Sequence, residues 1–174
     1  MRYALVYGGM AGAIVICVIT AGIAFSMPSH ATSVWFGYLV MLVALSLIFV
    51  GVKRYRDVEC GGVIRFSLAL ALGLAIATVA ALVYVIGWEI YLAVSGRDFI
   101  ADYSAMTIDG MRSAGATPAA VQAKLAEMQA MAVQYRNPLF RIPITFIEIF
   151  PVGLLVACVS AALLRNPKLL PSRR

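Results

Sequence analysis

Four long apolar blocks constrain this chain more than any other feature: about 4–27, 33–52, 66–94 and 142–164. Each holds about 20 residues or more, the length at which a helix rising 1.5 Å per residue crosses a hydrocarbon layer about 30 Å thick. Lipid offers no hydrogen bonds, so a crossing segment must satisfy its own backbone, which one segment does only as a helix. A soluble core does not account for four such blocks in 174 residues. Composition agrees: 63% of the residues are hydrophobic and 13% charged, where soluble domains are about half apolar and a quarter charged. The expected fold is all-α: an integral membrane four-helix bundle, one membrane domain over 1–174, with an extracytoplasmic amphipathic helical segment between spans three and four.

Basic residues set the expected orientation. Arg2 precedes the first block, Lys53, Arg54, Arg56 and Arg65 lie in the loop between the second and third, and Arg165, Lys168, Arg173 and Arg174 follow the fourth. Cations near span ends stay on the cytoplasmic side, which puts both termini and the 53–65 loop there. The net charge of +6 is then largely a topology signal. The cations are split among termini and loops with no single basic face, so nucleic acid is not an expected partner; the lipid bilayer is. The first block starts with an arginine and ends near Pro28-Ser29-His30-Ala31, as a cleavable signal would. Its apolar stretch exceeds the about 7–15 residues of such a signal, so it reads as a retained span.

The loop 28–32 and the longer segment, about 97–137, then face outward. In the latter, Thr117-Pro118 is a helix start: a capping side chain followed by proline at the first helical position. Val121, Leu125, Met128, Ala132 and Tyr135 follow on one face, until Asn137-Pro138 ends the pattern. Phe99, Tyr103 and Met106 make a shorter stripe, closed by Gly110 and Gly115. Two amphipathic helices follow from this, folded on the mouth of the bundle, lying in the interface or docking a partner. Met27, His30, Met106, Met111, Met128 and Met131 share this side, and thioethers suit Cu(I). One histidine and loosely spaced methionines are a poor ligand set, and methionine is an ordinary gap-filler on helical faces, so neither metal nor cofactor is expected. Cys17 and Cys158 read as small packing residues within spans, Cys60 lies in the cytoplasmic loop, and no disulfide framework is implied.

Two isolated carboxylates interrupt the oily run. Glu89 stands in Gly87-Trp88-Glu89-Ile90-Tyr91, and Glu148 in Phe146-Ile147-Glu148-Ile149-Phe150-Pro151. Counted from Gly96 and Ile142, each lies about 10 Å inside its span, so on neighbouring antiparallel helices they could share a level. An ionised carboxylate there is expensive unless paired, solvated or protonated, which makes each a candidate functional group. Candidate partners at that depth are Tyr84, Tyr91, Tyr38, Trp88, Trp35 and Thr145, with Arg141 and Arg97 able to reach inward from the mouth. Pro151 removes the helical donor for the carbonyl of Ile147 and is expected to kink the fourth span beside Glu148. The bland alternatives are a rigid bend and an aromatic interfacial belt.

Small residues recur at close-approach spacing: Gly8, Gly9, Gly12 and Ala13 in the first span, Gly73 and Ala77 in the third, Gly153 and Ala157 in the fourth. No phosphate loop, zinc motif or nucleophile with an adjacent base is present, and the chain does not read as an enzyme.

Several stretches resemble one family. They are Arg54–Gly62, the run Tyr84-Val85-Ile86-Gly87-Trp88-Glu89-Ile90-Tyr91, and Tyr135-Arg136-Asn137-Pro138 followed by Thr145 to Gly153, with Glu-x-Phe-Pro-x-Gly the most specific piece. The chain is similar over nearly its whole length to domain-of-unknown-function family 4199. Pro143 stands where that family leads one to expect a glycine or small residue. The resemblance implies a small four-span protein of the bacterial inner membrane and adds no substrate.

Two function classes remain. In one, the chain is a scaffold or accessory subunit, alone as a homo-oligomer or with a membrane-protein partner, and its glutamates tie helices together. In the other, it translocates a proton, cation or small solute through Glu89 and Glu148. Polar pairs between spans commonly serve packing, which favours the first.

Overall fold

A computed structural model describes residues 1–24, 34–96 and 98–171. The loop 28–32, Met27, His30 and Arg97 lie outside the described residues. Among the described residues seven helices follow in order: α1 (Arg2–Ala24), α2 (Val34–Leu45), α3 (Leu47–Glu59), α4 (Phe66–Ser95), α5 (Phe99–Ser113), α6 (Pro118–Tyr135) and α7 (Pro138–Leu164). No strand occurs among the described residues. Among the described residues four stretches are long and apolar enough to cross a membrane: Arg2–Ile23, Trp35–Glu59, Phe66–Ser95 and Pro138–Leu164. The chain divides into two compact units, residues 1–88 with 145–174, and residues 89–144.

The first unit is the bundle, and glycine decides how its helices approach. A Cβ on Gly8 would lie 2.6 Å from the carbonyl oxygen of Ile76, and one on Gly12 would lie 2.5 Å from that of Ala80. Both distances are sub-contact, so α1 rides directly on the backbone of α4. Between α4 and α7 the small residues pair reciprocally: a Cβ on Gly73 would meet the Ala157 Cβ at 2.9 Å, and one on Gly153 the Ala77 Cβ at 2.8 Å. Lipid tails are as apolar as leucine, so close van der Waals contact rather than water exclusion holds such helices together. Ile48 of α3 and Ile76 of α4 are fully buried at this centre, with Val15, Leu45 and Ile149.

The second span differs from the expected block 33–52. Its helix continues through the basic run to Glu59, so Lys53–Glu59 is no loop. Hydropathy marks where lipid ends, whereas a helix stops where backbone geometry breaks. Here that point is Gly61 and Gly62, at φ +62° and +91°, conformations that glycine adopts without strain. Lys53 and Asp57 pair one turn apart within the extension. Ser46 separates α2 from α3 without parting them: its hydroxyl donates to the Val43 carbonyl at 2.6 Å, and the Val50 N–H donates to the Ser46 carbonyl at 3.3 Å. Such back-bonding bends a helix.

The fourth span likewise begins at Pro138, earlier than the expected 142. Asn137-Pro138 both stops α6 and starts α7. Proline lacks the N–H that α6 would need, yet suits a first helical position, and the Asn137 side chain accepts from the Leu139 N–H at 3.0 Å. α7 then runs unbroken through Pro143 and Pro151.

In the second unit α5 packs against α6. Asp98 caps α5 through the Ala101 N–H at 3.1 Å, and Thr117 caps α6 through the Ala120 N–H at 3.3 Å. The buried residues of α5 are Ile100 and Ile108, while Tyr103 and Met106 are exposed. The packed face of α5 is therefore rotated from the expected stripe of Phe99, Tyr103 and Met106. α5 also passes through Gly110 and turns at Gly115, φ +76°. On α6, Val121 and Met128 are buried and Leu125 is exposed.

Candidate functional site

Of the expected site residues, Glu89, Tyr91 and Arg141 fall in the second unit, and Tyr84, Trp88, Thr145, Glu148 and Pro151 in the first. Each unit holds one of the two candidate glutamates, and the two have different partners.

Glu89 lies about 9 Å before the end of α4 at 1.5 Å per residue. Arg141 stands one turn into α7, its N–H bonded to the Asn137 carbonyl. The guanidinium meets the carboxylate in a fork: Nε to Oε1 at 2.7 Å and Nη2 to Oε2 at 2.5 Å. The remaining terminal nitrogen, Nη1, donates to the Tyr135 carbonyl at 3.2 Å, and the guanidinium carbon sits 5.6 Å from the centre of the Tyr135 ring. The Arg141 and Glu89 side chains are 16% and 28% exposed. Two parallel charge-assisted bonds, a backbone acceptor and an aromatic face fix Arg141 in one orientation. The arrangement gives Glu89 a cation within its own unit. Beside the pair lies a cleft of about 340 Å³, lined in part by Leu92, Phe99, Tyr135 and Arg141. Asp98 and Arg136 stand 3.8 Å apart at its rim, both well exposed. Tyr91 is half-buried on α4.

Glu148 lies about 15 Å along α7 from its first residue, deeper than the expected start of that span implied. The Tyr84 hydroxyl donates to its Oε2 at 3.5 Å, the outer limit of a hydrogen bond. Among the described residues no cation pairs with it. Tyr84, Trp88 and Thr145 are buried, whereas Glu148 is exposed, as are Ile147 at 64% and Leu155 at 58%. Pro151 and Cys158 share this exposed stripe, so Cys158 does not pack within the chain as expected; Cys17 is likewise exposed. The buried stripe of α7 is Thr145, Ile149, Gly153, Ala157 and Ala161, on another side of the helix. Tyr38 and Trp35 are exposed on α2.

A third polar centre escapes sequence reasoning. Arg56, which the charge pattern presents as a topology marker, is completely buried. Its Nη1 donates to the carbonyls of Leu164 at 3.5 Å and Leu169 at 3.1 Å, its Nη2 to that of Leu170 at 2.5 Å, and its Nε to Asp57 Oδ1 at 2.8 Å. Leu164 ends α7, so a cation sits at the negative end of that helix dipole and collects carbonyls that have no helical donor. The signal was present in spacing. Ile48, Val52 and Arg56 recur every four residues, and once the helix is extended past 52 they share the buried face.

Among the described residues no three histidine, cysteine, aspartate or glutamate side chains gather as a metal site would require. Neither a curated relative nor a solved structure matches the chain. One family does: its sequence profile, described as "Protein of unknown function (DUF4199)", matches residues 6–166. With four membrane-length helices and that match over nearly its whole length, the chain belongs to the DUF4199 family.

Proposed function

We propose that this chain is a small scaffold or accessory subunit of the bacterial inner membrane, with both termini cytoplasmic and α5 and α6 on the outer side. One observation carries the reading: Glu148 stands exposed on α7 among exposed aliphatic side chains, with a single long hydrogen bond among the described residues. A carboxylate on a face turned to hydrocarbon is costly unless another helix covers it. The occupant this chemistry selects is a helix of a partner membrane protein bearing a lysine, arginine or hydroxyl donor at the depth of Glu148. Glu89 has a cation within its own unit and needs none from outside.

The same carboxylate supports the second reading, a proton- or cation-translocating protein that uses Glu148 as the exchanging group. Extraction in mild detergent followed by native mass spectrometry separates the two, together with flux measurements in proteoliposomes. The subunit reading expects Glu148→Leu to lose a co-purifying membrane protein, while wild-type vesicles pass protons and alkali cations no faster than empty ones. Flux above that background, abolished by Glu148→Gln with assembly intact, would replace it with translocation.

A further inference from the structure

Where α1 begins and α3 ends, the two packed helices enclose a cleft of about 300 Å³. Arg2 and Arg54 line it, and neither guanidinium has an ion-pair partner among the described residues. Its wall is built rather than loose. The Tyr3 ring lies stacked with Tyr7 at 6.4 Å and edge-on to Tyr55 at 5.3 Å, and its hydroxyl donates to Glu59 Oε1 at 3.0 Å. Val6 and Val58 form the apolar flank, both exposed.

We infer that this cleft binds the phosphodiester headgroup of a membrane phospholipid. Both helices are ends of membrane-length segments, so the cleft lies at the level where headgroups sit. Two guanidinia on facing helices can chelate one phosphate, each offering a planar pair of donors. Val6, one turn into α1, continues toward the hydrocarbon and offers a surface for the first acyl carbons. Glu59 is the one lining group of opposite sign. With one oxygen held by Tyr3, its other oxygen can accept from a hydroxyl or ammonium beyond the phosphate, as glycerol and ethanolamine headgroups supply. Inorganic phosphate shares the chelation but makes no use of the apolar flank or of Glu59, and a soluble glycerol phosphate makes no use of the apolar flank.

The test uses the full-length protein, delipidated in neutral detergent, with phosphatidylglycerol binding read by native mass spectrometry. Arg2→Gln with Arg54→Gln is expected to weaken binding about thirtyfold, each lost guanidinium–phosphate contact contributing about 1 kcal/mol net. Arg65→Gln with Arg165→Gln removes the same charge outside the cleft, where no contact with the phosphate is made and salt screens the charge, and is expected to change binding less than about twofold. Equal losses in the two double variants would reduce the effect to general surface charge and overturn the site. Inorganic phosphate and glycerol phosphate are expected not to displace the lipid at millimolar concentration; displacement would assign the cleft to a soluble phosphate and overturn the lipid. Should the cleft variants fail to fold, wild-type protein crosslinked with a headgroup-photoactivatable phosphatidylglycerol decides. Adducts on residues 2–6 and 54–59 are expected, and adducts confined elsewhere overturn the proposal.

Discussion

Glu89 and Glu148 carry the same chemistry in similar sequence settings, yet the fold treats them differently. Glu89 meets a forked guanidinium that is itself held by a backbone carbonyl and an aromatic ring. Glu148 meets the Tyr84 phenol at 3.5 Å, with no cation among the described residues, and stands on an exposed stripe of α7. The difference arises in α7. Because Asn137 and Pro138 start that helix early, Arg141 falls in its second turn with its side chain available to Glu89, whereas no cation follows within α7 before its end. A charge in a span is thus settled by where the nearest helix start places an arginine, and under the proposed reading the one that meets no cation among the described residues is covered by an outside partner.

The largest expected effect comes from breaking the settled member. Arg141→Met strands a mostly buried carboxylate and is expected to destabilise the detergent-solubilised protein by about 3 kcal/mol. Glu89→Leu added to it should recover most of that loss, since an apolar pair of similar volume commonly replaces a buried ion pair. A double variant as unstable as the single one, in urea or thermal unfolding, would show that Arg141 acts through Tyr135 rather than through Glu89.

A second test contrasts the two sides of α7. Gly153→Leu forces a branched side chain against Ala77, where even a Cβ would lie 2.8 Å away. Overpacking of this kind costs about 1–3 kcal/mol or more where helices cannot part. Glu148→Leu, on the exposed stripe, is expected to leave the melting temperature unchanged or raise it while removing the partner. If both variants unfold alike, Glu148 is part of the packed interior and the contrast with Glu89 collapses.

These sides were partly legible in the sequence. The four spans follow from block length alone, because lipid leaves an apolar segment of that size no other way to satisfy its backbone. The buried face of such a helix is harder to read, since nearly every side is apolar and the usual polar stripe is missing. Small residues mark it instead. Gly153, Ala157 and Ala161 recur every four positions, and Glu148, five residues before Gly153, falls about 140° away at 3.6 residues per turn. Arg141 and Tyr84 were reachable as partners because depth along a helix can be counted from its end. Two things were not legible. The helix ends at Glu59 and Pro138 lie outside the hydropathy blocks, and the carbonyls that receive Arg56 lie more than a hundred residues away in sequence with no local mark.

The smallest expected effect is the sharpest probe of Glu148. Tyr84→Phe removes the donor that Glu148 meets among the described residues, at 3.5 Å, and leaves the ring in its buried place. A bond so long should contribute less than the usual net of about 1 kcal/mol, and the stability loss is expected near about 0.5 kcal/mol. The more telling readout is the partner. If an outside cation or donor covers Glu148, the variant keeps its co-purifying protein, because the carboxylate itself is intact. If Tyr84 orients the carboxylate toward that partner, the complex weakens while the isolated chain melts almost as before. A large stability loss with no change in assembly would instead make the Tyr84–Glu148 contact an internal clamp, equivalent to the Glu89–Arg141 fork, and would erase the difference between the two carboxylates.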